Sequence, residues 1–252
     1  MELTTLLIVC PLVFLAGFVD AIAGGGGLIS LPGYLLAGLP PINAVATNKL
    51  SSSIGTAAAA FRLWRGGYMN FMLAIPAAIL AISGSIIGSQ LALNTPENVF
   101  TLMLIVVLPA VALFTLRKKT FRDETDESLS LKKRCAIIAF FAFFIGGYDG
   151  FYGPGAGTFM LICFTAFAKL SVREASGQVK AANLASNVAA LVMFLSSGVV
   201  WIELGLIAAI FNTLGSYMGA GRIMKDGTKI VRPIIIGVLA LLLVKIIFDT
   251  VA

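Results

Sequence analysis

Lys49 and Lys180 stand 131 residues apart, each at the head of a stretch that carries small polar side chains into an otherwise apolar run. The first reads Thr47-Asn48-Lys49-Leu50-Ser51-Ser52-Ser53-Ile54-Gly55-Thr56, and the second Gln178-Val179-Lys180-Ala181-Ala182-Asn183-Leu184-Ala185-Ser186-Asn187. At helical spacing of three and four, Lys49, Ser52, Ser53 and Thr56 share one face, as do Lys180, Asn183 and Asn187. A lysine within a bilayer costs on the order of 2.5 to 3.5 kcal/mol unless it pairs or reaches water. Two lysines in matching register therefore suggest attraction for an anion. Two other readings stay open: both snorkel to an interface, or both neutralise the aspartates Asp20 and Asp149.

Those aspartates each precede a glycine cluster. The first cluster is Gly24-Gly25-Gly26-Gly27, and the second contains Gly150, Gly153, Gly155 and Gly157 around Pro154. Each glycine costs roughly 1 kcal/mol relative to alanine in a helix interior, so the apolar run should break at each cluster. The freed backbone groups must then face protein or a water-filled cavity. Amides at the start of the following short helix form an anion ligand without a side-chain charge. The expected anion site thus comprises Gly24, Gly25, Gly26, Gly27, Gly153 and Gly155, with Lys49 and Lys180, and polar support from Thr47, Asn48, Ser52, Asn183 and Asn187. Asp20 and Asp149 admit three roles: proton carriers, caps on the broken helices, or partners of the lysines. Burial raises a carboxyl pKa by disfavouring the charged form, which suits the first role.

The chain around these residues is 252 long, 59% hydrophobic and 12% charged, with no histidine. A soluble domain carries roughly 25% charge, so this chain's solvent is lipid. The missing histidine excludes serine-histidine triads, imidazole-ligated zinc or haem, and imidazole proton shuttles. Cys10, Cys135 and Cys163 lie in apolar runs without metal-ligand or disulfide spacing and read as small buried hydrophobes. No metal or cofactor is expected. The net charge of +6 is read as basic cytoplasmic loops of a membrane protein rather than as a nucleic-acid surface. No P-loop of the form GxxxxGK[ST] is present, which leaves ion gradients as the energy source.

Apolar runs near the roughly 20 residues that span a bilayer fall at Leu3 to Ala23, Ala44 to Leu63, Phe71 to Leu93 and Val99 to Leu116. A second set falls at Cys135 to Phe151, Ala175 to Leu195, Trp201 to Met224 and Val231 to Phe248. Leu28 to Leu39 and Thr158 to Leu170 are too short to cross alone and read as half-helices. The start, Met1-Glu2-Leu3, lacks the positive region of a signal peptide, so the first run is expected to stay as a helix. At the same offset of 131, Gly67 matches Gly198, Gly84-Ser85 matches Gly215-Ser216, and Gly88 matches Gly219. At 129, Asp20 matches Asp149 and Gly24 matches Gly153. The GxxxG spacing of Gly84, Gly88, Gly215 and Gly219 suggests close helix packing. The expectation is an all-α polytopic membrane protein of two homologous halves, 1–116 and 135–252, joined by a charged cytoplasmic linker, 117–134. Each half has four full transmembrane helices and one short broken segment.

Basic residues set the orientation. The linker, the turn with Arg62 and Arg65, and the turn with Arg222, Lys225, Lys229 and Arg232 should all be cytoplasmic. These assignments agree only if each half crosses an odd number of times, which makes the halves inverted repeats with both chain ends outside and a site at the midplane. Arg173 and Glu174, ahead of the second polar stripe, read as a surface pair.

The block from Gly17-Phe18-Val19-Asp20 through Gly24-Gly25-Gly26-Gly27, with Pro32, Gly38-Leu39-Pro40-Pro41 and Ala46-Thr47-Asn48-Lys49, resembles the sulfite exporter TauE/SafE family of bacterial membrane transporters. The likeness runs through Gly55-Thr56 to Gly66-Gly67 and recurs more weakly in the second half, where Pro154 interrupts the glycines and no Thr-Asn precedes Lys180. It implies a multi-pass inner-membrane permease for sulfite, sulfonates such as sulfoacetate or 4-toluene sulfonate, or related organosulfur anions. The expected function is therefore a secondary transporter of a small anion, working by alternating access, with the lipid bilayer as its surroundings and self-association into a homo-oligomer open. Two alternatives are a passive anion channel and an intramembrane aspartyl protease built on Asp20 and Asp149.

Overall fold

The computed structural model describes residues 3–96, 121–231 and 233–234. Its helices, in chain order, are α1 (Leu3–Ala23), α2 (Gly27–Leu36), α3 (Pro41–Arg65), α4 (Phe71–Leu93), α5 (Leu131–Phe151), α6 (Ala156–Ala166), α7 (Val172–Ser196) and α8 (Ile202–Asp226). A long, a short and two further long helices thus occur twice in the same order. No strand is present among the described residues. The run from Val99 to Leu116 lies outside them, and so does all but the first few residues of the run from Val231 to Phe248.

Local chemistry explains most boundaries. Pro41 opens α3, where a missing N–H costs nothing. The Asn70 side chain accepts the Met72 N–H at the start of α4. Ser171 Oγ accepts the Glu174 N–H at 3.2 Å at the start of α7, the serine half of a capping box. Ser130 caps α5 in the same way, so this helix begins within the charged linker, four residues ahead of the apolar run. Gly146 and Gly147 do not break α5. The helix continues through Asp149 to Phe151, and the interruption falls at Tyr152 to Gly155.

Five helices, α1, α4, α5, α7 and α8, are long and apolar enough to cross a membrane. α3 has the length but not the composition, because Thr47, Asn48, Lys49, Ser51, Ser53 and Thr56 are all buried along it. On α4, Met72, Ile75, Ile79, Ile82 and Ile86 are exposed, an apolar perimeter that only lipid or another apolar body can cover.

Small residues bring the long helices together. α1 packs on α8, and α4 on α5. A Cβ added at Gly84 would overlap the Phe143 carbonyl, and one at Gly88 the Gly147 carbonyl. Across the other contact, Gly215 and Gly219 meet the carbonyls of Phe14 and Phe18 in the same way. The glycines at GxxxG spacing are thus points of backbone contact, as close helix packing in membranes requires. α3 and α7 pack against each other and against α8 and α4 respectively, which sets both polar stripes in the interior.

The linker residues 121–130 form a strap over the end of the bundle. The Val172 N–H donates to Arg122 O, the Asp126 N–H to Lys169 O, and the Ser171 N–H to Thr125 Oγ1. Arg173 and Glu174 do not form the expected pair. Arg173 donates to the Met224 carbonyl and lies 3.9 Å from Asp123, whereas Glu174 receives the Thr125 hydroxyl.

Candidate functional site

The two interruptions meet. α1 ends at Ala23, and Gly24 turns the chain with φ +77°, a conformation open to glycine. The end of α1 leaves carbonyls without helical partners, and the start of α6 satisfies them. The Thr158 N–H donates to Gly24 O at 3.1 Å and its hydroxyl to Ala23 O at 2.7 Å. The approach is so close that a Cβ on Gly24 would overlap the Gly157 carbonyl carbon. Gly153 and Gly155, with φ of +101° and +80°, turn the second bend.

Around this junction the charged groups pair crosswise. Lys49 on α3 donates to Asp149 Oδ1 on α5 at 2.9 Å, and also to Asn187 Oδ1 on α7 at 2.9 Å. Lys180 on α7 donates to Asp20 Oδ2 on α1 at 2.6 Å and to the Asp20 carbonyl at 2.6 Å. The second bond adds a cation to the C-terminal turn of α1, where the helix dipole favours it. Neither lysine snorkels: both are almost fully buried, and each is neutralised by the aspartate from the other half of the sequence.

The two pairs differ in how far they are closed. Asp149 Oδ2 also accepts from Asn183 Nδ2 at 3.2 Å and from the Ser186 hydroxyl, so both of its oxygens are engaged. Asp20 receives the Gly26 N–H on its second oxygen at 3.3 Å, which caps the start of α2. Its side chain is 20% exposed, against 4% for Asp149.

Between the pairs lies a cavity of about 30 Å³, close to one water's share of liquid volume. Of the residues singled out in the sequence, Asp20, Gly24, Gly26, Gly27, Asn48, Lys49, Ser52, Asp149, Gly153, Asn183 and Asn187 line it. Lys180 joins the site through Asp20. Gly25 and Gly155 sit in the bends but not on the cavity wall, and Thr47 points elsewhere, with its hydroxyl accepting the Trp201 N–H at 3.0 Å. The N-terminal turns of α2 and α6 both border the cavity, through Gly26, Gly27 and Ser30 on one side and Gly157 on the other.

Ala16, Ser30, Gly157 and Asn212 also line the cavity, and Ser186 ligates Asp149. Asn212 carried a readable signal, since a lone amide inside an apolar span is a functional candidate by its cost alone. Ser186 lies one turn beyond Asn183 on the stripe already recognised. Ala16 is apolar and has no such signal. Among the described residues no group of three or more histidine, cysteine, aspartate or glutamate side chains converges to hold a metal ion. Asp20 and Asp149 are each bound to an ammonium group rather than to each other, whereas an aspartyl protease dyad shares a proton between its carboxyls.

Comparison with known proteins places the chain among membrane proteins. The family model described as "Sulfite exporter TauE/SafE" matches residues 9–246. "Probable membrane transporter protein ORF9" of Sinorhizobium sp is 34% identical over 239 residues, covering 94% of this chain and 90% of the relative. "Probable membrane transporter protein" of Haemophilus influenzae is 31% identical, covering 94% and 92%. "Probable membrane transporter protein YfcA" of Escherichia coli K12 is 30% identical, covering 94% and 87%. No solved structure matches the chain.

Proposed function

The chain belongs to the sulfite exporter TauE/SafE family of membrane transporters, and from that premise we propose that it carries a small oxyanion together with a proton through the cavity between the two bends. The protein is a transporter and not an enzyme. The observation that carries the proposal is the charge count of the site: two buried lysines and two aspartates, one buried and one partly exposed, crosswise paired and neutral overall.

An anion entering a neutral buried site leaves one negative charge uncompensated, and an unpaired charge in a low-dielectric interior is costly. A proton delivered with the anion removes that charge. Asp20 is the proton acceptor in this scheme, because it is the more exposed carboxylate and has fewer donors to give up. Once Asp20 is protonated, the Lys180 ammonium loses its counterion, and the anion takes that place. The N-terminal turns of α2 and α6 supply further amides aimed at the same space. Asp149, held by Lys49, Asn183 and Ser186, anchors Lys49 beside the site.

A cavity the size of a single water is too small for sulfite or a sulfonate. In this scheme the closed junction corresponds to the occluded form, and loading requires the bends to part. The repeated order of helices and the crosswise pairs support two inverted halves rocking about this junction in a bacterial inner membrane. Sulfite, sulfonates and related organosulfur anions suit the parted site chemically, as small oxyanions that accept several hydrogen bonds.

Purified protein in proteoliposomes tests the scheme. An imposed pH gradient should drive labelled sulfite or sulfonate flux, and Asp20→Asn should uncouple that flux from the gradient. Counterflow separates a carrier from a passive channel. If Lys49→Gln and Lys180→Gln both keep normal affinity and flux, the anion site is not here.

A further inference from the structure

A second site lies on the opposite side of α7. Lys180, Asn183 and Asn187 face the cavity, while Gln178 and Ala181 stand roughly half a turn away at 100° per residue. That outer face opens onto an apolar groove of about 840 Å³ between α3, α4 and α7, whose wall includes Phe61, Ile82, Ile86, Ala185, Val188 and Val192. Along α4 the groove reaches from Phe71 to Ile86, about 22 Å at 1.5 Å per residue. One leaflet of the hydrocarbon core is only about 15 Å deep.

At Met69 the groove meets a separate polar pocket of about 250 Å³. Glu127, Glu174, Arg134 and Gln178 line this pocket. Gln178 is 99% buried, as its relative exposure is 1%. Its Nε2 donates to Tyr68 O at 3.5 Å, whereas its Oε1 has no hydrogen-bond partner among the described residues. Exchanging the amide atoms gains nothing, because Oε1 would then face the Tyr68 carbonyl. A buried acceptor without a donor costs about 1 to 3 kcal/mol, so its place on the pocket wall marks a position for a hydrogen-bond donor.

We propose that this groove and pocket together seat a phospholipid with a primary ammonium headgroup. Its ammonium donates to Gln178 Oε1 and to the Glu174 carboxylate, and one acyl chain fills the groove. The polar pattern selects the headgroup: the Glu174 carboxylate and an orphaned acceptor call for N–H donors, whereas Arg134 is already held by Glu127 at 3.7 Å and donates to the Ala168 and Asp126 carbonyls. A trimethylated ammonium has no N–H to give, and a glycerol headgroup has no positive charge. The basic ends of α3, with Arg62 and Arg65, and of α8, with Arg222 and Lys225, mark this end of the bundle as the cytoplasmic headgroup side.

The test uses full-length protein stripped of lipid in detergent, then exposed to phosphatidylethanolamine, phosphatidylcholine or phosphatidylglycerol with identical acyl chains. Bound lipid is read by native mass spectrometry and thermal shift. Phosphatidylethanolamine should be retained roughly tenfold better than the other two, the scale of one hydrogen bond to a charged group. Gln178→Leu should abolish the preference while leaving the fold intact, and Ala185→Trp should reduce retention of all three by filling the groove. Equal retention of the three lipids by the unmodified protein, an unchanged preference in Gln178→Leu, or a groove that holds no lipid because a second copy or another apolar segment occupies it would each overturn the proposal. Lys180→Gln should leave the preference unchanged, so failure here is distinct from failure of the transport scheme.

Discussion

Lys49 and Asp149, 100 residues apart in the chain, are joined by an ammonium-carboxylate contact of 2.9 Å in which both side chains are almost wholly removed from solvent. Truncating one partner strands the other charge. Lys49→Ala should therefore destabilise the protein by about 3–5 kcal/mol, more than removal of either charge costs in the partly open Asp20–Lys180 pair. A double-mutant cycle with Lys49→Met and Asp149→Asn, read by thermal unfolding in detergent, should show the double variant to be more stable than Lys49→Met alone. Additive losses would mean that the two groups do not sense each other.

Transport should divide the pairs differently from stability. Asp20→Asn removes a carboxylate that has one ammonium partner and one amide donor, and should cost less stability than loss of Asp149 while flux loses its dependence on the pH gradient. Asp149→Asn should lower stability and flux together. Parallel measurement of melting temperature and proteoliposome flux for both variants checks the asymmetry, and identical behaviour of the two would contradict it.

The junction of the bends should tolerate no side chain. Gly24→Ala combines a left-handed backbone with overlap onto the Gly157 carbonyl; strain of about 1–3 kcal/mol adds to overpacking of about 1–3 kcal/mol. Gly38 is the control, with φ +86° but no atom within 4 Å of an added Cβ. Gly38→Ala should bear only the backbone term. Similar melting temperatures for the two variants would show that the contact between α1 and α6 carries no weight.

Acid should loosen the strap. The Asp123 carboxyl is held below the ordinary aspartate value of 3.8 by the Thr228 hydroxyl and N–H, with Arg173 nearby. The Asp126 carboxyl is held below it by the Ser128 N–H and hydroxyl and by Lys169. A depressed native pKa gives stability that is present above the unfolded value and is lost as pH falls through the native one. The melting difference between the unmodified protein and an Asp123→Asn, Asp126→Asn double variant should thus be constant near neutrality, shrink below pH 3.8 and then vanish. A difference that grows on acidification would reverse the sign and exclude these carboxylates as anchors.

The proposed inverted arrangement of the halves makes a topological prediction. A single cysteine placed at Lys225, at the end of α8, should react with a membrane-impermeant thiol reagent only from the cytoplasmic face, as should one placed in the strap. Labelling of the Lys225 position from outside would require the two halves to have the same orientation.

Among the described residues, the amino-acid sequence by itself determined which helices exist and, for α1 and α4, where they stop. Apolar runs fix α1 and α4 to the residue, because nothing else satisfies a backbone in lipid. The run Gly24 to Gly27 interrupts the helix at Gly24, whose left-handed backbone is open to glycine and costly for other residues. The spacing of Lys49 with Ser52, and of Lys180 with Asn183 and Asn187, placed each stripe on one face. Only the tertiary structure decided which acid each lysine meets, since helical periodicity says what shares a face but not which distant face lies opposite. That choice follows from backbone contacts at Gly84, Gly88, Gly215 and Gly219, which press α4 onto α5 and α1 onto α8 and so set each aspartate beside the lysine of the other half.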